Sequence, residues 1–247
     1  MKKTLIAVAV SAATLLASSA SFAQLTATAT FTNNYLWRGL TQSMNDAAAQ
    51  GGIKYTAKSG AYIGTWASNV AYDPGDAYSY ENDIYFGYGG TLSEGVTYDL
   101  NYLYYNYDSN AGFDFGEVTA GITIGGLTLK ASFLTNAEPN ELPGQDFGAF
   151  KTYYLSGDYA IPLASGATVG LHLGYHNGDF AEAFNGVTDS YMDYNISLAK
   201  NGFSAMISMT TLGDDDDGDK IEDYASMSAR DNDEVKFVVG YTMNFEL

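Results

Sequence analysis

From residue 24 onward the chain repeats one pattern: segments of about ten residues in which apolar and polar side chains alternate, joined by connections that are alternately short and long. Period two is the signature of a β-strand with two unlike faces. Val118, Ala120, Ile122 and Ile124 share one face of such a segment, against Glu117, Thr119, Gly121 and Thr123. Leu127, Leu129, Ala131 and Phe133 oppose Thr128, Lys130 and Ser132. Val169, Leu171, Leu173 and Tyr175 oppose Thr168, Gly170, His172, Gly174 and His176. Twelve segments of this kind are expected, near 25–38, 47–57, 60–71, 80–91, 96–107, 114–124, 127–136, 148–160, 167–177, 189–200, 203–212 and 232–247.

The connections sort by parity. The short ones are Lys58–Gly60, Ser93–Gly95, Gly125–Gly126, Pro162–Gly166 and Asn201–Gly202, the last a strong hairpin signal. Between them fall longer polar stretches such as Asn136–Phe147 and Asn177–Asp189. In an up-and-down sheet, joins of one parity lie at one end. Outer-membrane barrels have short periplasmic turns and longer outer loops. The pattern therefore predicts an all-β, antiparallel, up-and-down transmembrane barrel of about 12 strands. A secreted β-sandwich also alternates, but it would turn its apolar face inward and has no reason to sort its loops.

Both ends of the chain agree with this reading. Lys2 and Lys3 precede an apolar run, Leu5–Leu16, too short to span a bilayer, and Ser21–Ala23 fits a small-residue cleavage site. Residues 1–23 therefore read as a secretory signal, and 24–247 as a single barrel domain delivered to the outer membrane after Sec-type export through the periplasm. The last residues, "VKFVVGYTMNFEL", keep strict alternation to Leu247. A terminus that does not fray is one paired into structure. This strand is expected to close the barrel against the first and to be read by the barrel assembly machinery. Outer-membrane lipid and lipopolysaccharide are the expected surroundings, and tyrosines such as Tyr98, Tyr102, Tyr104, Tyr153, Tyr159, Tyr175 and Tyr241 the expected interfacial girdle.

Composition excludes several functions. The formal charge is −18, with 29 acids against 11 Lys and Arg, which argues against nucleic acid as a partner because phosphate contacts need basic clusters. Cysteine is absent, so no disulfide framework holds the fold. No cofactor is implied. His172 and His176, four apart on one strand face, have Cα atoms roughly 13 Å apart, too far to share a metal easily. A serine-hydrolase site needs nucleophile, base and orienter together, and the only two imidazoles face the lumen rather than the outer wall that lipid chemistry needs. The chain does not read as an enzyme, and a lipid-modifying barrel is the weakest reading.

Three motifs carry a family resemblance. "NNYLWRGLTQS" (Asn33–Ser43), "QGGIKY" (Gln50–Tyr55) and "GTWASNV" (Gly64–Val70) are similar, in order and spacing, to the TorF-type porin family of proteobacterial envelope proteins. The resemblance covers about the first fifth of the chain after the signal. It implies an outer-membrane barrel of porin type and brings no catalytic residues and no established substrate.

Functional residues follow from the polar face. The inward, pore-lining positions by alternation include Arg38, Lys54, Asp83, Asp99, Glu117, Lys130, Asp158, His172, Asp193 and Lys236. Twelve tilted strands about 4.8 Å apart give a backbone radius of roughly 12 Å. Such a lumen either passes small polar solutes or is plugged by its own paired charges. Arg38 is either a constriction cation or a structural residue that pairs with a wall carboxylate, beside a girdle Trp37. The Gly87–Gly90 stretch reads as relief for large lumen side chains. A run of acids in the last long connection, Asp214, Asp215, Asp216, Asp217 and Asp219, matches a calcium loop only in part. It serves at most as a weak cation site, and it would concentrate cations near the mouth. The expected function is a narrow diffusion channel for small polar solutes, leaning to cations or neutral molecules. The rival is a non-conducting structural or adhesive barrel acting through acidic loops. Oligomeric state is not legible.

Overall fold

A computed structural model describes residues 23–73, 75–213 and 230–247. The expected export signal and the candidate cation site at Asp214, Asp215, Asp216, Asp217 and Asp219 lie outside these residues, apart from Ala23 itself. The elements are β1 (Gln24–Thr32), β2 (Leu36–Trp37), β3 (Leu40–Thr41), β4 (Ala48–Thr56), β5 (Ala61–Asn69), β6 (Tyr80–Ser93), β7 (Val96–Tyr107), β8 (Phe115–Ile124), β9 (Leu127–Ala137), β10 (Tyr153–Pro162), β11 (Thr168–Asn177), α1 (Asp179–Asn185), β12 (Ser190–Lys200), β13 (Phe203–Thr210) and β14 (Lys236–Glu246). β1 and β4 to β14 form a closed barrel in which every neighbouring pair is antiparallel. The twelve-stranded up-and-down topology is the expected one.

Closure comes from the terminal strand. Residues Thr26 to Thr32 of β1 pair with Glu246 to Gly240 of β14, and the Leu247 amide donates to the Leu25 carbonyl at 2.9 Å. Every strand of the barrel is thereby paired on both sides, which removes the open edge that would otherwise recruit other chains. At the Asn201–Gly202 turn both residues take positive φ, 53° and 86°, the geometry a two-residue hairpin of matching twist requires.

The faces fall as alternation demands. Leu173 and Ile196 are about half exposed, and Ile84, Phe86, Leu129, Ile207 and Phe237 share that outer surface. A sandwich would have sealed these side chains inside. The inner surface carries the polar set.

Three strand boundaries differ from the sequence expectation by four residues or more, and one helix is added. β1 ends at Thr32, not near residue 38. The Asn33 side-chain amide takes the next place in the ladder, accepting from the Val239 amide at 2.7 Å and donating to the Phe237 carbonyl at 3.1 Å. The chain then turns into the lumen, where β2 and β3 form a small hairpin. β10 starts at Tyr153 rather than near 148, after Phe150 turns the chain at φ 66°. β14 starts at Lys236 rather than near 232. The stretch after β11 contains a short helix, α1, that ends at Gly186 in the left-handed conformation with its amide on the Glu182 carbonyl. Phe180 and Ala181 on α1 are buried.

An apolar core therefore exists, but inside the barrel and at one end. Tyr35, Trp37, Tyr105, Tyr107, Phe115, Leu134, Phe147 and Phe180 form one cluster at the long-loop end, joined by Phe113 and Phe184. Tyr105 stacks on Phe115 at 4.1 Å between ring centroids, and Trp37 lies 4.6 Å from Phe184.

Candidate functional site: an occupied lumen

The inward hairpin organises the lumen. Its two-residue tip, Arg38–Gly39, has φ of 51° and 81°. Gly39 is required there twice over: L-residues avoid this φ, and a Cβ would lie 2.7 Å from Thr210 and 2.8 Å from Asp193. The tip thus rests directly on the wall.

Arg38 reaches across the barrel. Its Nη2 donates to both carboxylate oxygens of Glu117 on β8, at 2.8 and 2.6 Å. Its Nη1 donates to His176 Nε2 on β11 at 2.8 Å. The guanidinium lies between the rings of Trp37 and Tyr154, 4.1 and 4.3 Å from their centroids. Because Arg38 can only donate, His176 Nε2 accepts and the ring proton sits on Nδ1, which faces the Tyr191 hydroxyl at 3.4 Å. Tyr191 in turn donates to the Arg38 carbonyl at 3.1 Å. Both members of the Arg38–Glu117 pair are buried, at 6% and 5% side-chain exposure. Of the two roles expected for Arg38, the geometry is that of a residue paired with a wall carboxylate. Trp37 is not a girdle residue: it is buried in the lumen, with Nε1 on the Tyr105 hydroxyl at 3.3 Å.

A second group joins three of the sequence-predicted residues. His172 Nδ1 lies 2.7 Å from Asp158 Oδ1, and its Nε2 lies 2.9 Å from Asp193 Oδ1. Two carboxylates on two ring nitrogens use two N–H donors, the imidazolium form. The Tyr154 hydroxyl donates to Asp193 Oδ2 at 2.9 Å. The remaining predicted residues are spread around the wall. Asp99 accepts from the Tyr62 hydroxyl and the Asn101 amide. The Lys54 ammonium lies 5.3 Å from the Tyr62 ring centroid. Asp83 is buried beside Glu81, with Oδ1 unpartnered among the described residues. Lys236 donates to the Arg230 carbonyl at 2.7 Å. Lys130 lines the cavity described next.

That cavity, of about 130 Å³, lies beneath the hairpin tip. It is bounded by Trp37 and Arg38 above and by Tyr62, Tyr85, Leu103, Lys130, Asp158, His172 and Asn195 around the wall. Sequence reasoning missed Tyr105, Tyr154 and Tyr191, which hold Arg38 and its partners, although each has the inward parity of its strand. The tyrosines expected at the membrane interface are others, their neighbours Tyr104 and Tyr153 among them. Gly87 bears out the expected relief: a Cβ there would run into the Tyr62 hydroxyl.

Among solved structures, the KdgM porin in complex with disordered oligogalacturonate is similar over 90% of this chain and 99% of that one, with a TM-score of 0.50 at 9% identity. The KdgM porin alone gives 0.49 at the same identity and coverage. Pseudomonas aeruginosa OprD gives 0.39 at 11% identity over 82% of this chain, which spans 61% of OprD. At such identities the likeness is one of fold: a closed barrel of porin architecture. No curated protein matches the sequence. The TorF-type name rests on the three motifs alone. The profile that matches is that of a bacterial protein of unknown function, Gcw_chp, over residues 16–244, and this chain belongs to that family.

Proposed function

We propose that the protein is an outer-membrane channel of porin type for small polar solutes, with a preference for cations or neutral molecules. One observation carries this reading: a closed barrel that exposes large apolar side chains outward and turns charged and polar ones inward. Hydrocarbon outside and a wet lumen inside is the arrangement such a surface suits. Residues 1–23 serve as the export signal in this reading, and β14 as the strand the assembly machinery engages. Asp158, His172, Asp193 and Lys130 line the narrow part in this reading, braced by the Arg38–Glu117 pair, with Lys54, Asp83, Asp99 and Lys236 along the wall. The KdgM complex holds an acidic sugar chain. The acid-rich sequence of the last long connection, with Asp214, Asp215, Asp216, Asp217 and Asp219, points this chain away from anions. Planar-bilayer reversal potentials across a salt gradient test the preference. Cation selectivity is expected, and anion selectivity overturns it.

A second reading has an observation in its favour. The hairpin, α1 and the aromatic cluster fill the long-loop end of the lumen, as in a non-conducting structural or adhesive barrel. Refolded protein that shows no opening at any voltage or salt concentration supports that reading against the channel. Enzyme chemistry at the outer wall is disfavoured, since both imidazoles point inward and are engaged by Arg38, Asp158 and Asp193.

A further inference from the structure

The cavity beneath the hairpin has two unlike walls. In a twelve-strand ring ordered β1, β4 to β9 and β10 to β14, strands six places apart face each other. β5, β6 and β7 present Tyr62, Tyr85 and Leu103 to the cavity, and β11, β12 and β13 present His172, Asn195 and Ser208 opposite them. The first side is mainly ring and hydrocarbon, its Asn101 amide being turned to Asp99, and the second is mainly polar, with Met206 beside Ser208. Several groups bordering the space make no hydrogen bond or ion pair to the protein among the described residues: the Asn195 amide, the Ser156 and Ser208 hydroxyls, the Tyr85 hydroxyl and the Lys130 ammonium. The other polar side chains there are already engaged. Glu117 holds Arg38, and Asp158 and Asp193 share His172. Donors and acceptors held around an apolar pocket are the marks of a small-molecule site.

Charge selects the ligand class. The cavity is lined by Glu117, Asp158 and Asp193 against Arg38, Lys130 and imidazolium His172, so the lining sums to zero. An added charge of either sign would sit in a poorly solvated space with no net counter-charge, which is costly. The size is small: an apolar cavity of about 150 Å³ admits benzene, and this one, about 130 Å³ and only partly enclosed, suits a single ring with its substituents projecting.

We infer that the cavity is a binding site for a neutral polyhydroxylated molecule of one sugar ring. Its C–H face lies on Tyr85 and Leu103, and its hydroxyls meet Asn195, Ser208, Ser156 and Lys130. This names the solute class within the channel reading and rests on that reading for its physiological meaning, but binding itself requires no conduction.

The test uses the refolded full barrel in detergent micelles, with folding verified by heat-modifiable gel migration. Isothermal titration compares glucose, glucuronate and glucosamine, one skeleton at charges of zero, −1 and +1. Saturable binding of glucose is expected, with both charged sugars at least about tenfold weaker, and with Asn195→Leu and Ser208→Val each weakening glucose about tenfold, as loss of a hydrogen bond to the ligand would. Absence of saturable glucose binding to the unmodified chain overturns the inference. So does tighter binding of glucuronate, or glucose binding unchanged in both folded variants. Bilayer conductance is read on the same sample. Binding without conduction leaves the site and sinks the channel, whereas conduction without binding does the reverse.

Discussion

At the long-loop end, the lumen positions of β7 and β8 are Tyr105, Tyr107, Phe115 and Glu117. At the short-turn end, the same two strands present Thr97, Asp99, Gly121 and Thr123 at the same parity. Large side chains and an inward hairpin occupy one half of the barrel, while small ones leave room in the other. The difference teaches that inward parity says only that a residue meets the lumen. What it meets there depends on whether a connection folds back onto it. Where the hairpin and α1 enter, the lumen becomes a packed core of stacked and edge-on rings. Where none enters, the lumen keeps the small polar residues of a wet passage.

The largest way to break this comparison is to remove the filling. Replacing Leu36–Thr41 by a Gly/Ser stretch of equal length should raise single-channel conductance by about an order of magnitude, because the constriction then vanishes. Unchanged conductance would place the narrow point elsewhere. Next in size is the buried ion pair. Glu117→Leu leaves Arg38 buried without its carboxylate and should cost about 3–5 kcal/mol in urea unfolding of the refolded protein. Arg38→Met combined with Glu117→Leu should recover most of that loss. If the double variant is no better than the single one, the penalty is not electrostatic.

A pair of glycines sharpens the contrast between the halves. Gly39→Ala forces a Cβ at φ 81° against Thr210 and Asp193 and should cost about 1–3 kcal/mol. Gly121→Ala, in the roomy half, meets nothing closer than Lys130 Cγ at 3.5 Å and should stay within about 0.5 kcal/mol of the unmodified chain. Equal effects at the two sites would erase the distinction. The smallest effect lies outside the lumen. Burial pushes the Asp108 carboxyl up, but hydrogen bonds from the Ser79 hydroxyl and the Ser79 and Tyr80 amides outweigh it and hold the carboxyl below its ordinary value. Their contribution is complete above the unfolded carboxyl's pKa of about 3.9 and drains away as pH falls through the lower folded value. The Ser79 and Tyr80 amide resonances should therefore report an Asp108 titration below about 3.9 and should shift in Asp108→Asn already at neutral pH. A titration at or above the ordinary value counts against this loop contact.

Much of the site was visible residue by residue and invisible as a constellation. Glu117, Asp158, His172 and Asp193 stand on polar faces that period two exposes at a glance. That His172 joins Asp158 to Asp193, while Glu117 goes to Arg38, depends on strand neighbours and on a partner 79 residues away. Trp37 shows the opposite failure. Its aromatic character suits a membrane interface equally well, and only the break at Asn33 turns it inward. The helix Asp179–Asn185 was hidden because seven residues are too few to display a 3.6-residue period, and its stability comes from burying Phe180 in the cluster, with Phe184 packed against it.

By itself the sequence determined which side of each strand is apolar, where the tight turns fall, and that the last strand is paired. These are local properties, set by a two-residue repeat and by turn chemistry a few residues long. Only the tertiary structure decided that residues 34–43 enter the barrel instead of leaving it. That choice belongs to groups far apart in the chain: Arg38 and its carboxylate, Asn33 and the β14 backbone, and aromatic rings from several strands. No short window of sequence contains both halves of those contacts.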